Sequence, residues 1–453
     1  MLRTIDLRGR VLGTPELLAA VPRAVAARDE ALTVAARIVH DVAARGEDAL
    51  REQAAQFDGV RDHDIRVPRA HLDDAIASLE PEVRAALEEA IRRVQKASAA
   101  QVPPARVTLL GDGARVEQRW LPVARVGVYV PGGKAVYPSS VVMNVVPAQV
   151  AGVAEVALAS PPQAEFDGRV HPVILAAARL LDVTEVYAMG GAGAIGAYAY
   201  GVPTLGLERV DAISGPGNNF VALAKRVVAG MVGTDSEAGA TEILVVADEK
   251  ADADWVAADL VSQAEHDEQA AAVLVTPSAT LAEAVAQRVA DRAARTRHAN
   301  RIAEALAGPQ SAIVLVDDLA AATAFSNVYA PEHLELHLDG LAPGDPRADA
   351  FVSAGAVFVG GHSPVSLGDY LAGSNHVLPT GGQARYASGL SASTFLRPQQ
   401  VIAYDRDALA EVRDAIVALA ATEALPAHGE AVVARFEHDG PLHGGPEHDS
   451  GER

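Results

Sequence analysis

Ser262-Gln263-Ala264-Glu265-His266-Asp267 follows a helical run and sets an amide oxygen and an imidazole three residues apart, on one helix face. An oxygen and a nitrogen so placed are two of the four ligands that a zinc ion takes. By itself the stretch reads more readily as polar helix surface. Candidate partners lie downstream. Gly368-Asp369-Tyr370 follows the apolar run 357–359, where an Asp would point into a cleft at a strand's carboxyl end. Gly373-Ser374-Asn375-His376 forms a turn-rich loop just beyond, and Glu423 and His428 flank Leu425-Pro426. Singly, each is what a solvated loop would carry; together they form a set of nitrogen and oxygen donors. The chain has no cysteine, so disulfides, thiolate nucleophiles and thiolate metal ligands are all excluded.

Ala330-Pro331-Glu332-His333-Leu334 places a carboxylate beside an imidazole just past a helical segment. Histidine is the usual general base near neutral pH, and an adjacent carboxylate can serve a second proton transfer. Three glycine-bearing turns follow strands: Tyr129-Val130-Pro131-Gly132-Gly133, the run 190–196, and Ser214-Gly215-Pro216-Gly217-Asn218-Asn219. The second has G-x-G-x-x-G spacing between a strand and a helix, with Asp211 at a distance suited to a ribose. In an Ala-rich chain that spacing also arises by chance. Three such turns at the carboxyl ends of strands in one sheet point more firmly to a nucleotide crevice.

The elements that must hold these groups alternate. Apolar β-rich runs at 126–130, 155–158, 183–188, 210–213, 243–247, 273–275, 313–316 and 357–359 are separated by Ala-rich helical stretches. Continuous apolar strands between helices imply parallel sheets covered on both faces, an α/β fold. Two helical stripes precede them, through Val34, Ile38 and Val42 and through Val83, Leu87, Ile91 and Val94. We therefore expect one α/β domain from 1–120 with 236–390, a second from 121–235, and a helical segment at 391–436. The Gly-, Pro- and His-rich tail at 437–453 is expected to be disordered. Lys plus Arg number 38 and Asp plus Glu 59, a net charge of −21 that disfavours nucleic acid as a partner. Apolar residues are dispersed, with no run of the roughly 18–20 needed to span a bilayer. Residues 1–10 carry charges where a signal peptide is apolar, so a cytoplasmic protein is expected.

Taken in order, six of these segments resemble the histidinol dehydrogenase family, over about residues 7–435. They are Val128 to Gly133, Gly215-Pro216-Gly217-Asn218, Ser236-Glu237-Ala238-Gly239-Ala240-Thr241-Glu242-Ile243 through Ser262 to His266, Ala330 to Leu334, Ser374 to Pro379, and Glu423 to His428. The resemblance implies two Rossmann-like domains and a zinc- and NAD-dependent oxidation of L-histidinol through L-histidinal to L-histidine. It implies one zinc per subunit on Gln263, His266, Asp369 and His428, which also face the substrate. Glu332 and His333 would carry the proton transfers, and Tyr129 and Asn218 would contact NAD. Thr241, His376 and Glu423 would surround the substrate. It further implies a homodimer in which the C-terminal helical segment crosses over, so that His428 and Glu423 complete the neighbour's site. The sequence departs from the family pattern at Gly193, where a Gln usually contacts NAD, and at Ala240, usually Pro. Either NAD loses a contact at Gly193 or the backbone there replaces it. A relative that oxidises another small amino or hydroxy alcohol is the alternative within the class. A non-catalytic NAD- or metal-binding module is the alternative outside it, disfavoured by the Glu332-His333 pair.

Overall fold

The computed structural model describes residues 2–23, 28–132, 136–236 and 239–437. Gly133, Glu237, Ala238 and the tail with His438, His443 and His448 lie outside the described residues, and with them the expectation of a disordered tail. The chain divides into two units: Met1–Val102 with Pro122–Leu396, and Pro103–Leu121 with Arg397–Arg453.

The first unit contains two parallel sheets. Five strands lie in the order Glu185–Ala188, Glu155–Ser160, Arg125–Tyr129, Ala212–Ser214 and Gly233–Thr234. Six lie in the order Arg3–Asp6, Ala312–Leu315, Ala271–Thr276, Glu242–Ala247, His333–His337 and Ala356–Val359. Each sheet runs outward from a middle strand, then returns to build the other side, the doubly wound order of dinucleotide-binding folds. Glu242–Ala247 and Ala271–Thr276 are buried at every residue, which explains why they read as unbroken apolar runs. Asp252, Ser278 and Asp318 start the helices between these strands by accepting backbone N–H groups on their side chains.

The N-terminal helices do not complete the domain assigned to them. Ala35, Val39 and Val42 of helix Arg28–Arg45, and Leu87, Ala90 and Val94 of helix Pro81–Ala99, pack into the cores of the five-stranded sheet. Only the start of the chain joins the six-stranded sheet, through strand Arg3–Asp6 and the buried Leu7 and Val21. The stripe on helix Arg28–Arg45 is turned by one residue from expectation, and its half-buried Val34 and Ile38 line a cavity instead.

The second unit is also richer than the helical segment expected at 391–436. Strands Arg106–Gly111 and Ala114–Pro122 form an antiparallel hairpin joined by strand Leu396–Tyr404 in one sheet, followed by helices Arg406–Thr422 and Pro426–Val433. Residues 391–396 belong to the first unit, where Ala392 and Phe395 are buried in its core. No helix among the described residues is long and apolar enough to cross a membrane.

Candidate active site

A cavity of about 1390 Å³ in the first unit gathers most of the residues singled out above. One wall comes from the carboxyl ends of the five-stranded sheet: Tyr129 with Pro131 and Gly132, the Gly190–Gly193 turn, and Pro216 to Asn218. The other wall comes from Thr241, Glu242, Glu332 and His333. Thr241 and Glu332 stand just before strands Glu242–Ala247 and His333–His337, so this wall is the amino end of the six-stranded sheet. Asp369, expected to point into a cleft at a strand's carboxyl end, lies on helix Val365–Tyr370, well past its strand.

A chain of hydrogen bonds fixes the second wall. Gln263 Nε2 donates to Thr241 Oγ1 (2.6 Å), whose hydroxyl donates to Glu332 Oε2 (2.5 Å). The Glu242 backbone N–H donates to the same carboxylate oxygen at 2.9 Å. Burial nevertheless pushes the Glu332 carboxyl up to about 8. His333 responds to the same burial in the opposite direction, its pKa lowered against the pull of Asp369, so its imidazole is neutral near pH 7. Its Nδ1–H donates to the Glu242 carbonyl (3.1 Å), which leaves Nε2 as the basic nitrogen. His376 is held by the Asp369 carbonyl at Nδ1 (3.0 Å) and by Ser140 Oγ at Nε2 (3.2 Å).

Gln263 supplies the sharpest sign of a missing partner. Thr241 holds the nitrogen of its amide, and its Oε1 is buried with no hydrogen-bond partner among the described residues. A buried, unsatisfied carbonyl oxygen is costly. Here it belongs to a side chain one turn from His266, which lines the cavity with Asp369. Oxygen, imidazole and carboxylate donors suit a divalent cation such as zinc. Helix Ala253–Ala264 ends before His266, which lines the cavity just past the helix terminus.

The cavity has the volume to admit a dinucleotide along its glycine-rich wall. Drug-sized ligands occupy about 300–1,000 Å³, and this cavity exceeds that range. Tyr129 is buried, its Oη accepting the Gly191 N–H at 3.1 Å, and its phenol is pushed up to about 12 by burial. Asn218 caps helix Asn219–Val228, its Oδ1 accepting the Phe220 and Val221 N–H groups. Gly215, at φ +123°, lets its turn approach strand Arg125–Tyr129 so closely that a Cβ there would lie 1.9 Å from the Tyr129 carbonyl oxygen. A buried Lys225–Asp235 ion pair (2.5 Å) braces that turn through the Gly215 carbonyl and N–H. Asp211 is not a ribose ligand. It sits at the amino end of its strand, where Oδ2 accepts the Ala124 and Arg125 N–H groups.

Glu423 and His428 lie in the second unit, Glu423 at the end of helix Arg406–Thr422 and His428 within Pro426–Val433, both exposed. The cavity of the first unit is lined without them.

Several positioning groups gave no sequence signal. Arg23 pairs with Glu242 (2.5 Å), donates to the Tyr329 carbonyl and stacks 4.1 Å over the Tyr329 ring. Asp259, Glu335 and His337 bring three ligand-type atoms within 4.8 Å of one another, a different set from the one expected to hold zinc. Glu335 Oε1 accepts the Val365 N–H (2.7 Å), the first of the helix that carries Asp369, and its Oε2 meets His337 Nε2 at 3.3 Å. The sequence trace of this seam is alternating polar residues on one strand, and a short strand with an inward polar face reads as a loop.

A family model described as histidinol dehydrogenase matches residues 21–436. The histidinol dehydrogenase of Leifsonia xyli is 62% identical over 436 residues, covering 96% of this chain and 99% of its own length. That of Corynebacterium diphtheriae is 53% identical over 445 residues, covering 97% and 98%. The crystal structure of histidinol dehydrogenase from Elizabethkingia anophelis matches with a TM-score of 0.89 at 32% identity, over 96% of this chain and 98% of that one.

Proposed function

The chain belongs to the histidinol dehydrogenase family, an NAD-dependent oxidoreductase family, and from this premise we propose that the two-walled cavity oxidises L-histidinol through L-histidinal to L-histidine. One observation carries the assignment of roles: the hydrogen-bond chain Gln263–Thr241–Glu332 ends on the carboxylate beside His333 and leaves the buried Gln263 Oε1 without a partner among the described residues. Tyr129, Asn218 and the glycine turns would hold NAD, which when bound would supply the hydride acceptor for two successive oxidations. Gln263, His266 and Asp369, with His428 from a second copy, would hold one zinc per subunit that orients the substrate's imidazole and amine.

The remaining chemistry belongs to the chain's own side chains. His333 Nε2 takes the hydroxyl proton in the alcohol step while Nδ1 stays anchored on the Glu242 carbonyl. Glu332, once deprotonated, takes a proton from the water that adds to the aldehyde. Thr241 and the Glu242 N–H hold its carboxylate in place for that transfer. His376, fixed between Asp369 and Ser140, and Glu423 of a second copy bound the substrate's imidazole.

The second unit supports a homodimer with shared sites. Ala114, Ala408, Ala420 and Gly429 are its only buried residues among those described. So small a core does not sustain a unit by itself. It meanwhile exposes Val107, Leu109, Leu110, Ile402, Leu419 and Leu425, an apolar supply that a second copy would cover. Cytoplasmic placement follows as the ordinary setting of such a pathway enzyme.

The test is NADH absorbance with L-histidinol, before and after chelation and with zinc returned. Two NADH per histidinol, lost on chelation and restored by zinc, supports the reading. Turnover of simple amino alcohols in preference to histidinol would favour the relative with another substrate.

A further inference from the structure

Gln53 is the last residue of helix Glu47–Gln53, immediately before the wider π-helical turn Ala54–Asp58. Such turns are frequent at functional sites. Here Gln53 lines the cavity beside the Gly190–Gly193 turn. Its amide rests against the first turn of helix Gly191–Tyr200 at a position with no side chain. A Cβ on Gly193 would lie 2.0 Å from Gln53 Oε1. The absence of a side chain at 193 is thus what admits the amide of residue 53. Gln53 Nε2 is buried without any partner, although nearly all buried donors are satisfied in folded proteins. Among the described residues of its unit no acceptor meets it.

We propose that Gln53 is a cofactor-contact residue, its amide N–H donating to an oxygen of the dinucleotide held at the Gly190–Gly193 turn. The proposal rests on the assignment of NAD to this wall. It makes residues 53 and 193 one device: a single amide, delivered across from the N-terminal helices because residue 193 has left the room for it. Two consequences follow from the geometry. A side chain added at 193 collides with Gln53, whereas the same side chain added after Gln53 is shortened occupies the space that it vacates.

The test is equilibrium binding of NAD by titration calorimetry, with L-histidinol binding and melting temperature measured on the same samples. Gln53→Leu keeps the bulk and removes the amide. It should weaken NAD by about 10-fold, the worth of one hydrogen bond to a charged or strongly polar acceptor. Histidinol affinity should be unchanged. Gly193→Gln alone should weaken NAD as well, through the collision. Gln53→Ala with Gly193→Gln should bring affinity back to within about 3-fold of wild type, one amide standing in for the other. If wild type binds NAD and Gln53→Leu binds it equally well, the contact does not exist. If Gln53→Leu weakens binding and the double variant fails to restore it, Gln53 only supports the helix and the proposal is overturned. Absence of NAD binding by wild type itself would overturn the nucleotide assignment together with the contact.

Discussion

Glu332 and His333 are chain neighbours on which burial acts with opposite chemical results, and the division of labour follows from that. The imidazole is kept neutral and ready; the carboxyl, pushed up to about 8, is a base only once the solution is alkaline enough to strip its proton. Glu332→Gln should therefore slow the step from histidinal by about 10² to 10⁴ and the step from histidinol far less. His333→Asn should slow both, since the hydrated aldehyde also loses a hydroxyl proton. Single-turnover traces from each compound separate them, and equal slowing of both by Glu332→Gln would remove Glu332 from the water-activating role. A pH prediction accompanies it. Because the shift is upward, the step from histidinal should accelerate as pH rises through about 8, and Glu332→Gln should flatten that rise. A rise that survives in the variant would assign it to another group. At this scale the sequence is most legible as grouping: Thr241, His266, Glu332, His333, Asp369 and His376, expected at a site from motif and resemblance, line one cavity, and Gln263 bonds to Thr241 beside it. Arg23 and Asp235 were not, because a buried ion pair between distant residues leaves no pattern along the chain.

Strand His333–His337 shows why some elements escaped the sequence reading. His333, Glu335 and His337 alternate along one face, all buried, so the inward face is polar where the pattern demands apolar residues. Hairpin strand Arg106–Gly111 escaped for the opposite reason, since all six of its residues are exposed and nothing selects an inward face. The fully buried parallel strands were found because two covered faces leave no alternation to decipher. Which end of a sheet bears the site was not legible, since that depends on how two sheets meet. The seam along His333–His337 carries its own prediction. Asp259, on the helix facing that strand, has its carboxyl pushed up from 3.8 to about 8 by burial and by the Glu335 carboxylate, to which it donates a hydrogen bond when protonated. A raised pKa means that the folded chain holds this proton more tightly than the unfolded one. The stabilisation is complete below about 4 and is lost as pH climbs to about 8. Asp259→Asn keeps a donor without the titration. It should melt with wild type at pH 4 and about 2–4 °C above it at pH 8.5. A difference independent of pH in scanning calorimetry would mean that the carboxyl is not the source.

At the scale of the whole molecule, the second unit determines what assembly must supply. If His428 serves a neighbour's cavity, His428→Ala and His333→Ala chains should each be nearly inactive alone. Mixed under conditions of subunit exchange, they should recover up to about a quarter of wild-type activity, because half the dimers are mixed and each of those has one intact site of two. No recovery despite exchange shown by mass spectrometry would place both residues in one chain's site. The helices of this unit fall within the helical segment expected at 391–436. Its hairpin, contributed from about 290 residues earlier in the chain, was not legible.

The meeting of the carboxyl ends of one sheet with the amino ends of the other has an electrical consequence. Helices Pro138–Ala151, Gly191–Tyr200 and Asn219–Val228 begin at the nucleotide wall, while Ala253–Ala264 and Leu319–Tyr329 finish at the wall of Gln263 and Glu332. Helix starts carry roughly half a positive charge and helix ends roughly half a negative one, so the two walls are oppositely poled before any side chain is counted. Phosphates are drawn to one wall and ammonium groups or metal ions to the other. A rod-shaped molecule with an anion at one end and a cation at the other would be turned the right way round before it touched either wall.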